Sequence, residues 1–297
     1  MNCRPLFTVF TPTYNRAGTL PAVYAALAAQ SWRDFEWLIV DDGSADGTAD
    51  LVAEWQRRAD FSIRYLWQEN GGKHRAFNRG VREALGELFL TLDSDDTCLP
   101  RALERFAWHW QSIPAEQRLS YSAVTALCMD PAERTVGNGL PAAVVDSDPV
   151  SLRYRHHVVG EKWGFQRTDL LRQFPFPEFP GERFVPESLV WNRIGRKYRT
   201  RYVNEPLRVY RQGEGGLSQR SVQLRIASPC ATLLYYRELL EEPVLSWRDR
   251  LGIAVNLWRF ALHAGKPAEA AQLAVGRPWI LLVFPAALAF CLADRRH

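Results

Sequence analysis

Acidic residues follow two short apolar segments, at positions 41–44 (Asp-Asp-Gly-Ser) and 93–96 (Asp-Ser-Asp-Asp), and a polar, aromatic segment at 11–16 follows a third. A carboxylate can accept the N–H of a nucleobase or a ribose hydroxyl, and clustered carboxylates can hold a hard divalent cation such as Mg²⁺ through their oxygens. Aspartates at strand ends are also common turn formers and helix caps. Two such clusters, each directly after a predicted strand, favour a site for a nucleotide and a cation.

Alternating strand-like and helical segments precede and follow these clusters. Each strand–helix unit takes about 25–30 residues, which is typical of a mainly parallel sheet with helices on both faces. Ligands of such sheets bind beyond the carboxyl ends of the strands, where the clusters lie. The predicted strands are 6–10, 35–40, 63–67, 88–92 and 121–128, and the predicted helices are 20–30, 48–57, 73–85 and 101–110.

Composition limits the remaining classes of protein. The 297 residues are 47% hydrophobic and 24% charged, which excludes a disordered or collagen-like chain. The net charge of +4 is too small and too dispersed to indicate nucleic-acid binding. Five widely spaced cysteines indicate neither a disulfide framework nor a zinc site. The first residues contain no secretory signal and the apolar run 278–293 is too short to span a membrane, so a cytoplasmic protein is expected.

Four motifs in order resemble the family 2 glycosyltransferases: F-T-P-T-Y-N-R at 10–16, V-D-D-G-S at 40–44, N-G-G-K-H-R-A-F-N-R-G at 70–80 and T-L-D-S-D-D at 91–96. The resemblance is strong over residues 5–130 and looser over 150–215. It implies an α/β GT-A fold, which is Rossmann-like with a mainly parallel central sheet flanked by helices. The predicted divisions are a nucleotide-sugar-binding half at 1–130, an irregular acceptor-binding half at 131–220 and a helical extension at 221–297.

The resemblance also implies residue roles in binding a nucleotide-sugar donor of the UDP-sugar type and a Mg²⁺ or Mn²⁺ ion. Asp41 is expected to be structural, and Asp95 is the foremost of the metal ligands. The implied donor-binding residues are Pro12, Tyr14, Asp42, Asn70, Lys73, Asn78 and Asp95, and the implied metal ligands are two of Asp93, Asp95 and Asp96.

The general base of an inverting transfer is expected in the second half of the chain. Glu187 lies where the family places its catalytic acidic residue, although Pro186-Glu187 replaces the common Glu-Asp pair. Glu182 and Glu178 are competing candidates. A carboxylate at the beginning of a helix can also be purely structural. Lys162 and Trp163 are assigned to an acceptor-side loop in which Trp163 stacks on a sugar ring, and a buried structural tryptophan is the alternative.

The resulting hypothesis is a metal-dependent inverting glycosyltransferase that acts on a saccharide or lipid-linked acceptor in the synthesis of a cell-envelope polysaccharide or glycolipid. The alternative is a non-catalytic carbohydrate-binding or membrane-associated scaffold that retains the fold. Apolar residues recur at helical spacing in 244–263, and residues 244–293 are expected either to contact the inner face of the membrane peripherally or to close the back of the catalytic domain.

Overall fold

The computed structural model of the chain describes residues 4–211 and 221–294. Its first half alternates strands and helices as predicted, and the predicted boundaries from β1 to β4 lie within two residues of the observed ones except at the end of β1, which extends three residues further. The elements are β1 (Phe7–Thr13), α1 (Leu20–Ala28), β2 (Phe35–Asp41), α2 (Thr48–Arg58), β3 (Ser62–Trp67), α3 (Lys73–Glu83) and β4 (Leu88–Thr91).

The second half is more regular than the sequence predicts. The expected irregular shell at 131–220 is wrong, because this stretch contains three strands and three helices; residues 212–220 lie outside the described part. The elements are β5 (Thr97–Cys98), α4 (Ala102–Gln111), β6 (Tyr121–Met129), β7 (Val144–Ser147), α5 (Pro149–Tyr154), β8 (Lys162–Arg167), α6 (Thr168–Gln173), α7 (Ser188–Gly195) and β9 (Arg199–Val209).

A single sheet joins the two halves in the order β3-β2-β1-β4-β8-β6-β9-β5, with β7 paired to β9. The pairs among β1, β2, β3 and β4 are parallel, as the crossover helices require. Strand β8 runs antiparallel between β4 and β6. The sheet is therefore an α/β sheet that is parallel in its first half and mixed in its second.

Helices cover both faces of the sheet. Successive side chains of a strand point to opposite faces, so a strand buried along its whole length needs helices on both sides. Every residue of β1 and β2 is buried. Phe7 and Trp37 belong to the core on one face, whereas Phe10 and Leu38 belong to the core on the other. The carboxyl ends of β1, β2 and β4 remain at one edge, where the polar segments of the sequence follow.

The chain continues into a helical C-terminal region with a third core. Its elements are α8 (Ser221–Ala227), α9 (Pro229–Leu240), α10 (Trp247–His263), α11 (Pro267–Ala274), a 3₁₀ segment (Pro278–Val283) and α12 (Phe284–Asp294). The predicted amphipathic helix is α10, which begins with a capping box between Ser246 and Asp249. No helix within the described ranges is long and apolar enough to cross a membrane.

Candidate active site

The two aspartates after β2 have different surroundings. The Asp41 carboxylate accepts hydrogen bonds from the Ser44 N–H (2.7 Å) and the Tyr65 hydroxyl (2.6 Å), and Asp41 is fully buried. It holds the turn after β2 against β3, which agrees with the structural role expected for it.

Asp42 holds the turn between β3 and α3. Its carboxylate accepts hydrogen bonds from the N–H groups of Gly71 (3.0 Å) and Gly72 (2.7 Å) and from Nε2 of Gln68 (2.7 Å). The Asn70 side chain donates to the Asp42 carbonyl at 2.8 Å. These bonds place the last residues before α3 beside the end of β2, and they use Asn70 to build the turn.

Gly72 is required where it stands. Its φ is +98°, in the region that favours glycine, and a Cβ at this position would lie 2.4 Å from the Arg183 carbonyl oxygen. The turn before α3 therefore packs directly on the segment that leads to α7. This contact brings Lys73, the first residue of α3, next to Glu187, which precedes α7.

Lys73 joins two carboxylates from distant parts of the chain. Its Nζ lies 2.7 Å from Oδ1 of Asp93, after β4, and 2.9 Å from Oε1 of Glu187. Burial lowers the pKa of Lys73, but the charges of Asp93 and Glu187 outweigh burial and the net shift is upward. Burial likewise raises the pKa of Asp93, and the charges of Lys73 and Arg208 bring it below its usual value. The site thus holds a lysine cation between two anions.

The other two aspartates after β4 differ in exposure and in ion pairing. Asp95 is partly exposed, and its only ion pair within the described ranges is a long one of 3.7 Å to Arg16, after β1. Asp96 is buried and pairs with Arg208 on β9 at 3.2 Å. Burial raises the pKa of Asp96 to about 6. Among the described residues, no three His, Cys, Asp or Glu side chains form a ready-made metal cluster.

Pro12 and Tyr14 border the same edge of the sheet. Pro12 is buried within β1, and Tyr14, directly after the strand, has half of its surface exposed. The Arg16–Asp95 contact links the end of β1 to the end of β4. An exposed ring therefore lies at the edge of the sheet where these polar segments follow the strands, and the donor-binding role of Pro12 and Tyr14 stays a prediction.

Two predicted site residues are instead structural. Asn78 is buried, and its side-chain amide donates to the Phe176 carbonyl and Glu178 while its oxygen accepts from the Phe176 N–H, so its assignment to donor binding is wrong. Trp163 is also buried, with Nε1 donating to the Thr91 carbonyl at 2.5 Å and its ring packed against Phe106. Trp163 cannot stack on a ligand, and the alternative of a core tryptophan is confirmed.

Lys162 precedes Trp163 in β8 and is partly exposed. Its Nζ donates to the Val159 and Gly160 carbonyls, at 2.9 and 3.4 Å, and burial lowers the pKa of Lys162. These bonds hold the loop before β8. Its assignment to acceptor binding stays a prediction.

The three candidate bases also differ. Glu182 is buried and accepts the N–H groups of Cys230 and Ala231 at the beginning of α9, so it serves as a helix cap. Glu178 accepts from Asn78 and contacts Arg75. Glu187 is about half exposed and contacts Lys73. Only Glu187 of these three touches Lys73, the residue that joins it to Asp93.

The sequence analysis missed Arg208. This arginine is 4% exposed, pairs with both Asp96 and Glu161, and has its pKa raised by those and neighbouring groups despite the opposing effect of burial. Its signal in the sequence is an arginine between Leu207 and Val209, in a strand-like segment where an unpaired charge would be costly.

Sequence comparisons match this chain to glycosyltransferases. The Glycosyl transferase family 2 model matches residues 8–117. An uncharacterized glycosyltransferase of Nostoc sp. is 36% identical over 105 residues, 35% of this chain and 33% of that protein. The GalNAc(5)-diNAcBac-PP-undecaprenol beta-1,3-glucosyltransferase of Campylobacter jejuni is 26% identical over 216 residues, 70% of this chain and 65% of that protein. The first curated relatives are thus matched over about a third of their length.

Solved structures share the fold. S. aureus TarS 1-349 in complex with UDP-GlcNAc aligns with a TM-score of 0.61 and 19% identity, over 86% of this chain and 72% of that chain. The mannosyltransferase PcManGT from Pyrobaculum calidifontis, in complex with GDP-Man and Mn²⁺, aligns with a TM-score of 0.58 and 22% identity, over 99% and 88%. The fold is that of the GT-A glycosyltransferases, and residues 8–117 of the chain match the glycosyltransferase family 2 domain.

Proposed function

We propose that this protein is a metal-dependent, inverting glycosyltransferase that moves a sugar from a nucleotide-diphosphate sugar to a hydroxyl of a saccharide or lipid-linked acceptor. The observation that carries the proposal is the position of Lys73, whose Nζ contacts both Asp93 and Glu187. Asp93, a candidate metal ligand, and Glu187, the candidate base, therefore contact the same ammonium group. A sugar transfer needs this proximity, because donor and acceptor meet at one carbon.

The donor nucleotide is assigned to the edge formed by the ends of β1 and β2. Asp42 lies there with Pro12 and the exposed ring of Tyr14. The Asp42 carboxylate already accepts three hydrogen bonds from the turn before α3, out of about four acceptor positions. Its oxygens can therefore accept about one further hydrogen bond from a ligand, and only from one direction. The nucleotide sugars named with the neighbouring structures, UDP-GlcNAc and GDP-Man, support a nucleotide-sugar donor.

Asp95 and Asp93 are the residues that would hold a divalent ion. Both offer carboxylate oxygens, the donors that Mg²⁺ and Mn²⁺ prefer, whereas the oxygens of Asp96 are engaged by Arg208 and the Arg211 N–H. One or two carboxylates plus substrate phosphates are the usual set for Mg²⁺. When bound, such an ion neutralises the negative charge that develops on the departing diphosphate. The Mn²⁺ named with the mannosyltransferase structure supports this assignment.

Glu187 is assigned as the general base. It precedes the N-terminus of α7, where the helix dipole favours a carboxylate, and Lys73 adds a positive charge at 2.9 Å. In this assignment the Glu187 carboxylate takes the proton of the acceptor hydroxyl. The hydroxyl oxygen then attacks the anomeric carbon from the face opposite the leaving nucleotide, which inverts the configuration.

We also propose that α12 and the 3₁₀ segment rest on a membrane surface during synthesis of a polysaccharide or glycolipid. Their solvent side carries large apolar residues without a charge between them. Leu281, Leu282, Leu288, Phe290 and Leu292 are 51%, 78%, 38%, 53% and 47% exposed.

Sedimentation with vesicles of phosphatidylglycerol and phosphatidylcholine tests the membrane contact. The unmodified protein and Leu119→Glu, which changes another exposed leucine outside this surface, should sediment with the vesicles. The double variant Leu282→Glu/Phe290→Glu should stay in solution. Equal sedimentation of all three proteins, or none by the unmodified protein, would contradict the contact.

A thermal-shift panel tests the proposed reaction class. UDP, GDP, UDP-sugars and GDP-sugars are added to the protein with and without Mn²⁺. We expect at least one nucleotide sugar to raise the Tm only when Mn²⁺ is present, because both must bind the folded state together. Asp95→Asn should remove the Mn²⁺-dependent part of the shift. A flat response across the panel would favour the scaffold alternative and overturn the proposal.

A further inference from the structure

A groove lies at the edge of the sheet opposite the candidate active site. Its wall includes Leu6, directly before β1, and Glu87, directly before β4, so it borders the amino ends of these strands. Arg167, the last residue of the antiparallel strand β8, lines it as well. The volume of the groove is about 810 Å³, within the range of about 300–1,000 Å³ that is usual for ligand clefts. The groove is therefore large enough for a ligand and separate from the donor edge.

Positive charge predominates on the wall of this groove. Six arginines line it against four carboxylates, and this excess of two charges is half of the net charge of the whole chain. Two of the carboxylates are already neutralised, because Glu83 pairs with Arg64 at 3.5 Å and Asp169 pairs with Arg167 at 2.6 Å. Within the described ranges, the lining arginines that form no ion pair are Arg4, Arg82, Arg118 and Arg172.

Two of these unpaired arginines are held in place by the backbone. Arg118 donates to two carbonyls at the end of α4, and Arg172 donates to two carbonyls at the end of α3, at distances of 2.8–3.2 Å. Carbonyls do not neutralise a guanidinium, and each of these side chains keeps three of its five N–H donors for another acceptor. Both cations are thus positioned before a partner arrives, which lowers the entropic cost of binding a carboxylate.

Apolar side chains lie among these cations. Leu85 and Leu119 line the groove with 49% and 74% of their surface exposed, and the buried Trp110 lines it from α4. A small inorganic anion would leave the leucines in water, whereas a peptide with acidic and aliphatic side chains would contact both kinds of residue. Arginine and tryptophan are also enriched in protein interfaces. The composition of the wall therefore favours a peptide over a simple anion.

We propose that this groove binds a segment of a partner protein that combines acidic and aliphatic side chains. The carboxylates of the segment pair with Arg118 and Arg172, and its aliphatic side chains cover Leu85 and Leu119. The groove borders the amino ends of β1 and β4, whereas the candidate donor residues follow the carboxyl ends of the strands. The partner and a nucleotide sugar can therefore be bound at the same time.

Fluorescence anisotropy with the labelled peptide Glu-Glu-Leu-Glu-Glu-Leu-Glu-Glu-Leu tests the groove. We expect this peptide to bind the unmodified protein. Arg82→Glu/Leu119→Glu changes two exposed side chains of the wall and should weaken the peptide about tenfold or more, because carboxylates replace a cation and an apolar contact. Arg118→Gln removes one of the held cations and should weaken it about threefold.

The control Arg57→Glu/Leu282→Glu makes the same change of charge at exposed positions outside the groove and should bind the peptide as the unmodified protein does. The peptide Glu-Glu-Ser-Glu-Glu-Ser-Glu-Glu-Ser keeps the charge without the leucines and should bind about threefold more weakly or worse. Equal affinity for both peptides would reveal a general attraction for anions and overturn the proposal. So would a failure of the leucine peptide to bind the unmodified protein, or equal binding by every folded variant.

Size-exclusion chromatography with light scattering separates a partner segment from a second copy of the chain. We expect the unmodified protein and Arg82→Glu/Leu119→Glu to have the same mass in solution. A dimer that this double variant dissociates would assign the groove to a second copy and overturn the partner segment.

Discussion

The Asp42 carboxylate takes hydrogen bonds from two backbone N–H groups and one side chain of the turn before Lys73, so a change in its charge must act on the whole turn. Asp42→Asn places an NH₂ group against N–H donors. We expect a loss of about 1–3 kcal/mol in the free energy of unfolding, and weaker nucleotide binding. Urea denaturation and calorimetric titration with UDP and GDP measure the two effects.

The control for Asp42 is Asp50→Asn, which removes an exposed carboxylate on α2. It should leave both quantities near those of the unmodified protein. An Asp42→Asn protein with unchanged stability and unchanged nucleotide affinity would contradict the role assigned to this carboxylate.

At the residue scale, the sequence predicts the contacts of a residue best when both contacting residues belong to recognisable motifs. The motifs predict that Asp42, Lys73 and Asp93 lie in one site, and in the structure Lys73 contacts Asp93. Trp163 and Asn78 could not be assigned in this way. Their hydrogen-bond partners are the backbone carbonyls of Thr91 and Phe176, which lie far away in the chain. Because every residue has a backbone carbonyl, the residue type gives no sign of such a contact.

At the scale of the elements, α9 is capped from outside its own segment. Ser228 at the N-cap makes no side-chain cap bond, whereas Glu182 accepts from Cys230 and Ala231 at 2.7 and 2.9 Å. Glu182→Ala leaves these N–H groups without that acceptor, and we expect it to lower the free energy of unfolding by about 1–3 kcal/mol. Chemical denaturation measures this loss.

Turnover separates the cap from a catalytic role for Glu182. The folded Glu182→Ala protein should release nucleoside diphosphate from the nucleotide sugar, with Mn²⁺ and a saccharide acceptor, at about the rate of the unmodified protein. Glu54→Ala, which removes an exposed ion pair on α2, should cost less than about 1 kcal/mol. If the Glu182 and Glu54 variants were equally stable, the capping role would be wrong.

The elements predicted from periodicity depend on interactions between residues close in the sequence, whereas the missed elements depend on pairing between distant segments. The β1 to β4 region repeats a local unit whose apolar pattern reports its own burial, so its boundaries could be predicted closely. The place of β8 between β4 and β6 depends on pairing with strands that are distant in sequence. Nothing within 162–167 specifies that position, which is why this stretch was expected to be irregular.

At the scale of the whole molecule, we expect stability to depend on pH through His109 on α4, which contacts Glu205 on β9. Burial lowers the pKa of His109 despite the opposing charge of Glu205, whose carboxylate lies 2.8 Å away. The unfolded histidine, with a pKa of about 6.5, therefore binds a proton more readily than the folded one. Its contribution to stability is present above that pH and is lost as the pH falls below it.

The comparison of His109→Gln with the unmodified protein isolates this effect. We expect the unmodified protein to lose more unfolding free energy between pH 7.5 and about pH 5.5 than the variant does. His156→Gln, at an exposed position, should keep the behaviour of the unmodified protein. Unfolding in urea at each pH gives the values. Equal losses in the unmodified protein and His109→Gln would show that His109 does not carry the pH dependence.

The most direct measurement of the central claim is the turnover of Glu187→Gln with the nucleotide sugar that binds in the presence of Mn²⁺. Release of nucleoside diphosphate is followed with a panel of saccharide acceptors, beside Glu178→Gln as the matched control. Removal of the base should lower turnover about 10²–10⁴-fold while donor affinity and stability change little, and Glu178→Gln should stay active. Turnover by Glu187→Gln at the rate of the unmodified protein would contradict the account.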